Sequence, residues 1–264
     1  MIFDGIIFYV KKALIKEMSS LNKDISFIKQ NFIAHRGVYN NVEIVENSME
    51  AFKEAIKRKY IIELDVHLLK DNKTIVVYHD DNLERLTKIN KKIVDCSYDE
   101  LCKVKLFGKD IKIPTIEEVL KLVDGKVPII IELKYDRKVG LLESRLANVL
   151  DNYNGKFAVK SFNPLSIMWF KRHRKNYVRG LLVNYSHNNL KEYIISKMLF
   201  LKETTPDFLS VSYEFANSDK IQKLRLKMPV IAWTVKDKKT YEKVKNSFDN
   251  LILENFDNVI DNIK

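Results

Sequence analysis

Cysteine is nearly absent: Cys96 and Cys102 are the only two in 264 residues. Two thiols in a chain of this length build neither a disulfide framework nor a cysteine-rich zinc cluster, and they read as ordinary thiols of a reducing compartment. Long apolar runs are missing too. The nearest, at the N-terminus, is cut short by Lys11 and Lys12 and has Asp4 where a basic leader would begin, so neither a bilayer-spanning helix of ~20 residues nor a cleaved signal peptide is expected. No internal repeat, low-complexity tract or interdomain linker breaks the chain. Zinc-finger, RRM and KH patterns are also lacking, which argues against a nucleic-acid partner despite the net charge of +11. The basic run Lys171 to Lys175 reads as a solvated face.

With 46% hydrophobic residues the chain has the composition of a globular protein able to bury a core. Its positive balance favours anionic partners without choosing between a phosphate-bearing metabolite and an acidic membrane surface. The first thirty residues carry apolar positions at Phe3, Ile6, Ile7, Val10, Leu14, Met18, Leu21, Ile25 and Ile28, in steps of three and four, with Lys12, Lys16 and Lys23 on the other side. This stripe predicts an amphipathic helix over residues 1–30. Such a helix either docks on the end of the main domain or lies on an anionic membrane. The expected location is the cytoplasm, with a peripheral contact on the inner face of the membrane if the second reading holds.

From Phe32 onward, short apolar runs alternate with amphipathic stretches, the mark of parallel strands joined by crossover helices. Eight runs qualify: Phe32 to Ala34, Tyr60 to Val66, Val127 to Leu133, Phe157 to Lys160, Val178 to Val183, Asp207 to Val211, Pro229 to Val235 and Leu251 to Leu253. Helices are expected between them, among them Ser48 to Arg58, Thr115 to Val123, where Thr115 and Glu118 have capping-box spacing, and Asn188 to Lys202. Ile75 to Tyr78 follows its predecessor after a short turn, too short for a parallel crossover, so it folds back as a hairpin arm. The long stretch from Asp80 to Pro114 extends that excursion with local structure of its own. The prediction is an α/β protein: a (β/α)8 TIM-type barrel over residues 31–264, with a β-hairpin excursion after its second strand and the added N-terminal helix.

Barrel chemistry sits where strands end. The first strand ends in His35-Arg36, the second carries Glu63 and Asp65, the hairpin arm ends in His79, and the third strand carries Glu132 and Lys134. Residues two apart on a strand share a face, so Glu63 and Asp65 point together, as do Glu132 and Lys134. Three carboxylates without thiolate suit one hard divalent cation, Ca²⁺ or Mg²⁺. Two histidines on separate segments supply a general acid and a general base, and Arg36 and Lys134 offset charge on phosphoryl oxygens.

These residues lie in motifs that resemble the glycerophosphodiester phosphodiesterase family: FIAHRG at Phe32 to Gly37, ENS at Glu46 to Ser48, IELDV at Ile62 to Val66 and VVYHD at Val76 to Asp80. IPTIEEVL at Ile113 to Leu120, IIIELK at Ile129 to Lys134, SF at Ser161-Phe162 and AWTV at Ala232 to Val235 follow in family order. The resemblance implies a (β/α)8 barrel with Glu63, Asp65 and Glu132 as metal ligands and His35 and His79 as the acid–base pair. It also implies phosphate contacts from Arg36 and Lys134 and an aromatic wall from Trp233. The implied reaction is metal-dependent hydrolysis of a small glycerophosphodiester to sn-glycerol 3-phosphate and an alcohol, in one route through a cyclic phosphate. A lysophospholipase D acting at a membrane surface would use the same set, and a non-catalytic binding barrel would require its loss.

The sequence departs from the family pattern at Val45, in the glycine-free turn after Asp71, at Arg85-Leu86-Thr87 and at Leu253-Glu254-Asn255. These departures are expected to lie outside the metal and acid–base set and to shape the mouth and its alcohol specificity.

Overall fold

The computed structural model describes residues 23–134, 138–184 and 200–260. Among the described residues there are nine strands: β1 Ile33–His35, β2 Ile61–Leu68, β3 Ile75–Val77, β4 Ile129–Leu133, β5 Phe157–Ser161, β6 Val178–Val183, β7 Phe208–Ser212, β8 Val230–Val235 and β9 Asn250–Leu253. Eight of them run parallel in the order β1-β2-β4-β5-β6-β7-β8-β9, and β9 pairs back on β1 to close a TIM-type barrel. The remaining strand, β3, pairs antiparallel with β2 through Val66 and Val77, as its short turn demands.

The alternation along each strand sorts residues into two cores. Ile62, Leu64, Ile131, Leu133 and Val159 face outward and are buried with Val119, Leu146 and Phe170 from the surrounding helices. Those helices begin where their caps dictate. Ser48 accepts the Ala51 N–H ahead of Met49–Lys57, and Thr115 and Glu118 complete both halves of a capping box ahead of Ile116–Val123. Inside the barrel, Ile33, Ile61, Ile130, Ala158, Phe208, Ile231 and Ile252 form an apolar floor. Gly180 makes that layer possible, because a Cβ there would lie 2.3 Å from the Phe208 ring.

Two expectations change. The helix predicted over residues 1–30 is not what residues 23–30 form: Ser26–Lys29 is a single 3₁₀ turn, and its Phe27 and Ile28 plug the floor. Lys23, read as facing away from the apolar stripe, is engaged with Asp207 at 2.8 Å. Residues 1–22 and most of the helix expected from Asn188 lie outside the described residues. The excursion does have a core of its own, in which Val45, Leu69, Tyr78, Leu86, Ile93 and Leu106 cluster apart from the barrel.

Candidate active site

Strand register brings the chemistry together. His35 lies opposite Glu63 across β1 and β2, Asp65 opposite Glu132 across β2 and β4, and Glu132 opposite Lys160 across β4 and β5. One oxygen from each of Glu63, Asp65 and Glu132 falls within 4.8 Å of the others. All three side chains are buried, a costly arrangement unless their charge is met. Lysines and an arginine meet it. Lys134 Nζ is 2.6 Å from Glu132 and 2.9 Å from Asp65, Lys160 Nζ is 2.8 Å from Glu63, and Arg36 Nε is 3.5 Å from Asp65. Burial pushes the Asp65 carboxyl up, but Lys134, with His79 and Arg36 behind it, holds it well below the usual range. The same contest lowers Glu132 and raises Lys134 and Lys160, so all three stay charged at neutral pH.

This donor set fits a hard cation. Oε1 of Glu63 and Oδ1 of Asp65 are buried and meet only the ammoniums of Lys160 and Lys134, with no well-directed hydrogen bond fixing either oxygen, so an oxygen-seeking ion can take them if the lysines give way. Asn47, left-handed at φ 54°, donates its Nδ2–H to Oδ2 of Asp65 at 3.0 Å and steadies that carboxylate.

Both histidines are oriented by carboxylates. Nδ1 of His35 lies 3.1 Å from Glu254 and Nδ1 of His79 lies 2.6 Å from Asp80. A carboxylate only accepts, so each ring carries its proton on Nδ1 and keeps Nε2 for exchange. Asp80 is held in turn by Arg85 Nε at 2.5 Å, and Arg85 also binds Glu46, which takes Arg36 Nη1 at 2.6 Å. Burial raises Glu46, yet Arg85 and Arg36 bring it down to about 2. Buried His67 places Nε2 3.3 Å from the His79 carbonyl and so braces that segment.

His35, Arg36, Glu63, His79, Glu132, Lys134, Lys160 and Trp233 line one cavity of about 150 Å³. Trp233 meets Phe162 edge-on at 5.6 Å, and its buried Nε1–H has no acceptor. Every candidate from the sequence is therefore brought to one place, Asp65 standing just behind the lining.

Sequence reasoning missed several partners: Glu46, Asn47, Asp80, Arg85, Lys160 and Glu254. Two of the family departures, Arg85 and Glu254, were expected to lie clear of the acid–base set. The structure corrects this, since Glu254 touches His35 and Arg85 touches the carboxylate that orients His79. The signal was present for Glu46, Asn47 and Asp80, which lie within the ENS and VVYHD motifs. Nothing local marks Arg85, Lys160 and Glu254 as partners.

A model of the glycerophosphoryl diester phosphodiesterase family matches residues 35–257, a span that holds every residue of this cavity. The chain belongs to that family. As a member it is a metal-dependent phosphoric diester hydrolase that converts glycerophosphodiesters to sn-glycerol 3-phosphate and an alcohol. Among glycerophosphodiester phosphodiesterases it is 29% identical to YhdW of Bacillus subtilis, a protein provisionally named for this activity, over 81% of this chain and 89% of that one. It is 35% identical to human lysophospholipase D GDPD1 over 48% of this chain, which spans 44% of the human protein. In fold it resembles an Oleispira antarctica phosphodiesterase determined in complex with the product sn-glycerol-3-phosphate. The TM-score is 0.72 at 21% identity, covering 86% of this chain and 93% of that one.

Proposed function

We propose that the mouth of the barrel divides the reaction among its residues as follows. Glu63, Asp65 and Glu132 hold one divalent cation, Ca²⁺ or Mg²⁺. Bound there, such an ion supplies Lewis-acid polarisation of a phosphoryl oxygen and lowers the pKa of a coordinated hydroxyl. Arg36 and Lys134 bind the phosphate, and Lys134, 15% exposed against 2% for Lys160, is the one able to turn outward. His35 and His79, with Nδ1–H fixed on Glu254 and Asp80, act through Nε2, one taking the proton of the attacking hydroxyl and the other giving one to the leaving alcohol. Trp233 and Phe162 wall the glycerol or alcohol group, and the unpaired indole N–H offers it a donor.

One observation carries this reading: three buried carboxylates converge beside two carboxylate-held histidines in a single cavity. The test is a panel of glycerophosphodiesters and lysophospholipids offered to the purified protein with and without chelator. Turnover of glycerophosphocholine that stops on chelation and returns with Ca²⁺ or Mg²⁺ supports it. Full turnover after chelation and desalting sinks it.

A lipid diester is the second reading, favoured by the match to the mammalian lysophospholipase D. It takes the segment expected over residues 1–30, short of the stretch from Lys23 that seats on the barrel floor, as an amphipathic attachment to the 31–264 barrel, peripheral on the cytoplasmic face of an anionic membrane. Among the described residues no helix is long and apolar enough to cross a membrane. With Lys23 engaged by Asp207, Lys11, Lys12 and Lys16 are the charges left for acidic lipid. Cosedimentation with anionic vesicles at low and high salt, for the full chain and for one starting at Asn22, decides it. Equal sedimentation of the two chains removes the segment from the account.

A further inference from the structure

Lys160 is a lysine where none was expected. It extends from β5 beneath the carboxylates, 2% exposed, and its Nζ contacts Glu63 Oε1 at 2.8 Å and Glu132 Oε2 at 3.4 Å. Both partners belong to the proposed cation-ligand set, and Glu63 Oε1 has no hydrogen bond that would otherwise commit it. A Ca²⁺ or Mg²⁺ ion takes carboxylate oxygens at about 2.0–2.6 Å. Ammonium and ion therefore contend for the same lone pairs. The charges lead to the same conclusion. Glu63, Asp65 and Glu132 bring three negative charges, Lys134 and Lys160 in contact with them bring two positive ones, and Arg36, shared with Glu46, adds part of a third. The cluster is largely neutralised by its own side chains, unlike a bare three-carboxylate cage, whose mutual repulsion only a cation relieves.

We propose that Lys160 is a built-in competitor of the divalent cation: its ammonium neutralises Glu63 and Glu132 in the cation-free barrel and has to yield or share their oxygens when the ion enters. The chain consequently stays folded without its cation and holds it loosely, in exchange with the surroundings. Lys134 does not duplicate this role. It sits at the more exposed edge of the cluster, where a substrate phosphate can draw it away, whereas Lys160 is enclosed below. The proposal rests on Glu63 and Glu132 being cation ligands, so the test separates the two claims.

The experiment is calorimetric titration of the cation-free protein with Ca²⁺ and Mg²⁺, paired with thermal unfolding with and without saturating cation. It compares wild type with Lys160→Met, Lys160→Gln and Glu132→Gln. Methionine nearly matches the lysine in volume, and glutamine keeps a polar head should the apolar variant fail to fold. Removing the ammonium is expected to tighten the dissociation constant at least tenfold, to lower the unfolding temperature of the cation-free protein, and to have saturating cation restore it. A structural salt bridge alone predicts lost stability that cation does not restore and an unchanged dissociation constant; that result overturns the proposal, as does weaker binding. If Glu132→Gln binds cation as well as wild type, the ligand set itself is wrong. If Glu132→Gln binds poorly while both Lys160 variants match wild type, the competitor role alone falls.

Discussion

The floor and the mouth of this barrel are built from the same strands two residues apart, and they obey opposite rules. One step of two along a strand converts Ile33 to His35, Ile61 to Glu63, Ile130 to Glu132, Ala158 to Lys160, Ile231 to Trp233 and Ile252 to Glu254. Floor side chains touch through dispersion and area removed from water, so any of them contributes by its volume. Apart from Trp233, the mouth side chains are ionisable and buried or half-buried, so each depends on a named partner, and loss of one leaves another uncompensated. A barrel can therefore keep its fold in one layer and its chemistry in the next.

That contrast is broken most directly at the histidines. His35→Ala and His79→Ala should each lower kcat by about 10²-fold or more, the usual worth of a positioned acid–base group. Their circular dichroism should match wild type, and the double variant should lose less than the product of the two. An unfolded His35→Ala would show that mouth and floor are not separable.

The converse test is Phe208→Ala, which empties the floor beside Gly180 and should cost about 3–5 kcal/mol in denaturant unfolding while the folded fraction keeps its kcat within a few-fold. A collapse of kcat without loss of stability would reverse the assignment.

A smaller effect should appear in acid. Glu46, lowered to about 2 by Arg85 and Arg36 against burial, and Glu254, lowered to about 2 by His35 against burial, have folded-state values below the ordinary carboxylate value. Their stabilisation is therefore complete above the unfolded value of about 4.3 and is lost as pH falls from there towards 2. Unfolding temperature measured from pH 7 to pH 3 should drop mainly below pH 4.5, and Glu46→Gln should flatten that drop.

The least change is expected at Cys102, exposed on the excursion, where Cys102→Ser should alter stability by less than about 0.5 kcal/mol and leave turnover unchanged.

Much of this was legible in the sequence because it is written locally. Short apolar runs between amphipathic stretches mark the strands, and the hairpin arm betrays itself by a turn too short for a crossover. The acidic pair Glu63 and Asp65 is displayed on one face by the two-residue period of a strand. What stayed hidden is pairing across sequence distance. Glu254 meets His35 over 219 positions and Arg85 meets Glu46 over 39, and a glutamate or arginine carries no local sign of such a partner. Lys160 was hidden for another reason: at the end of a short run it reads as a residue reaching solvent, and only barrel closure turns it inward. The N-terminal stripe misled near its end because Ile25 and Ile28 satisfy helical spacing, yet Ile28 fills the floor beside Phe27 from a 3₁₀ turn.

The contact between His35 and Glu254 spans the seam where β1 meets β9. The ring displayed by the first strand therefore lacks its orienting carboxylate until the last strand has paired with the first. The set of that imidazole is a report on closure of the circle.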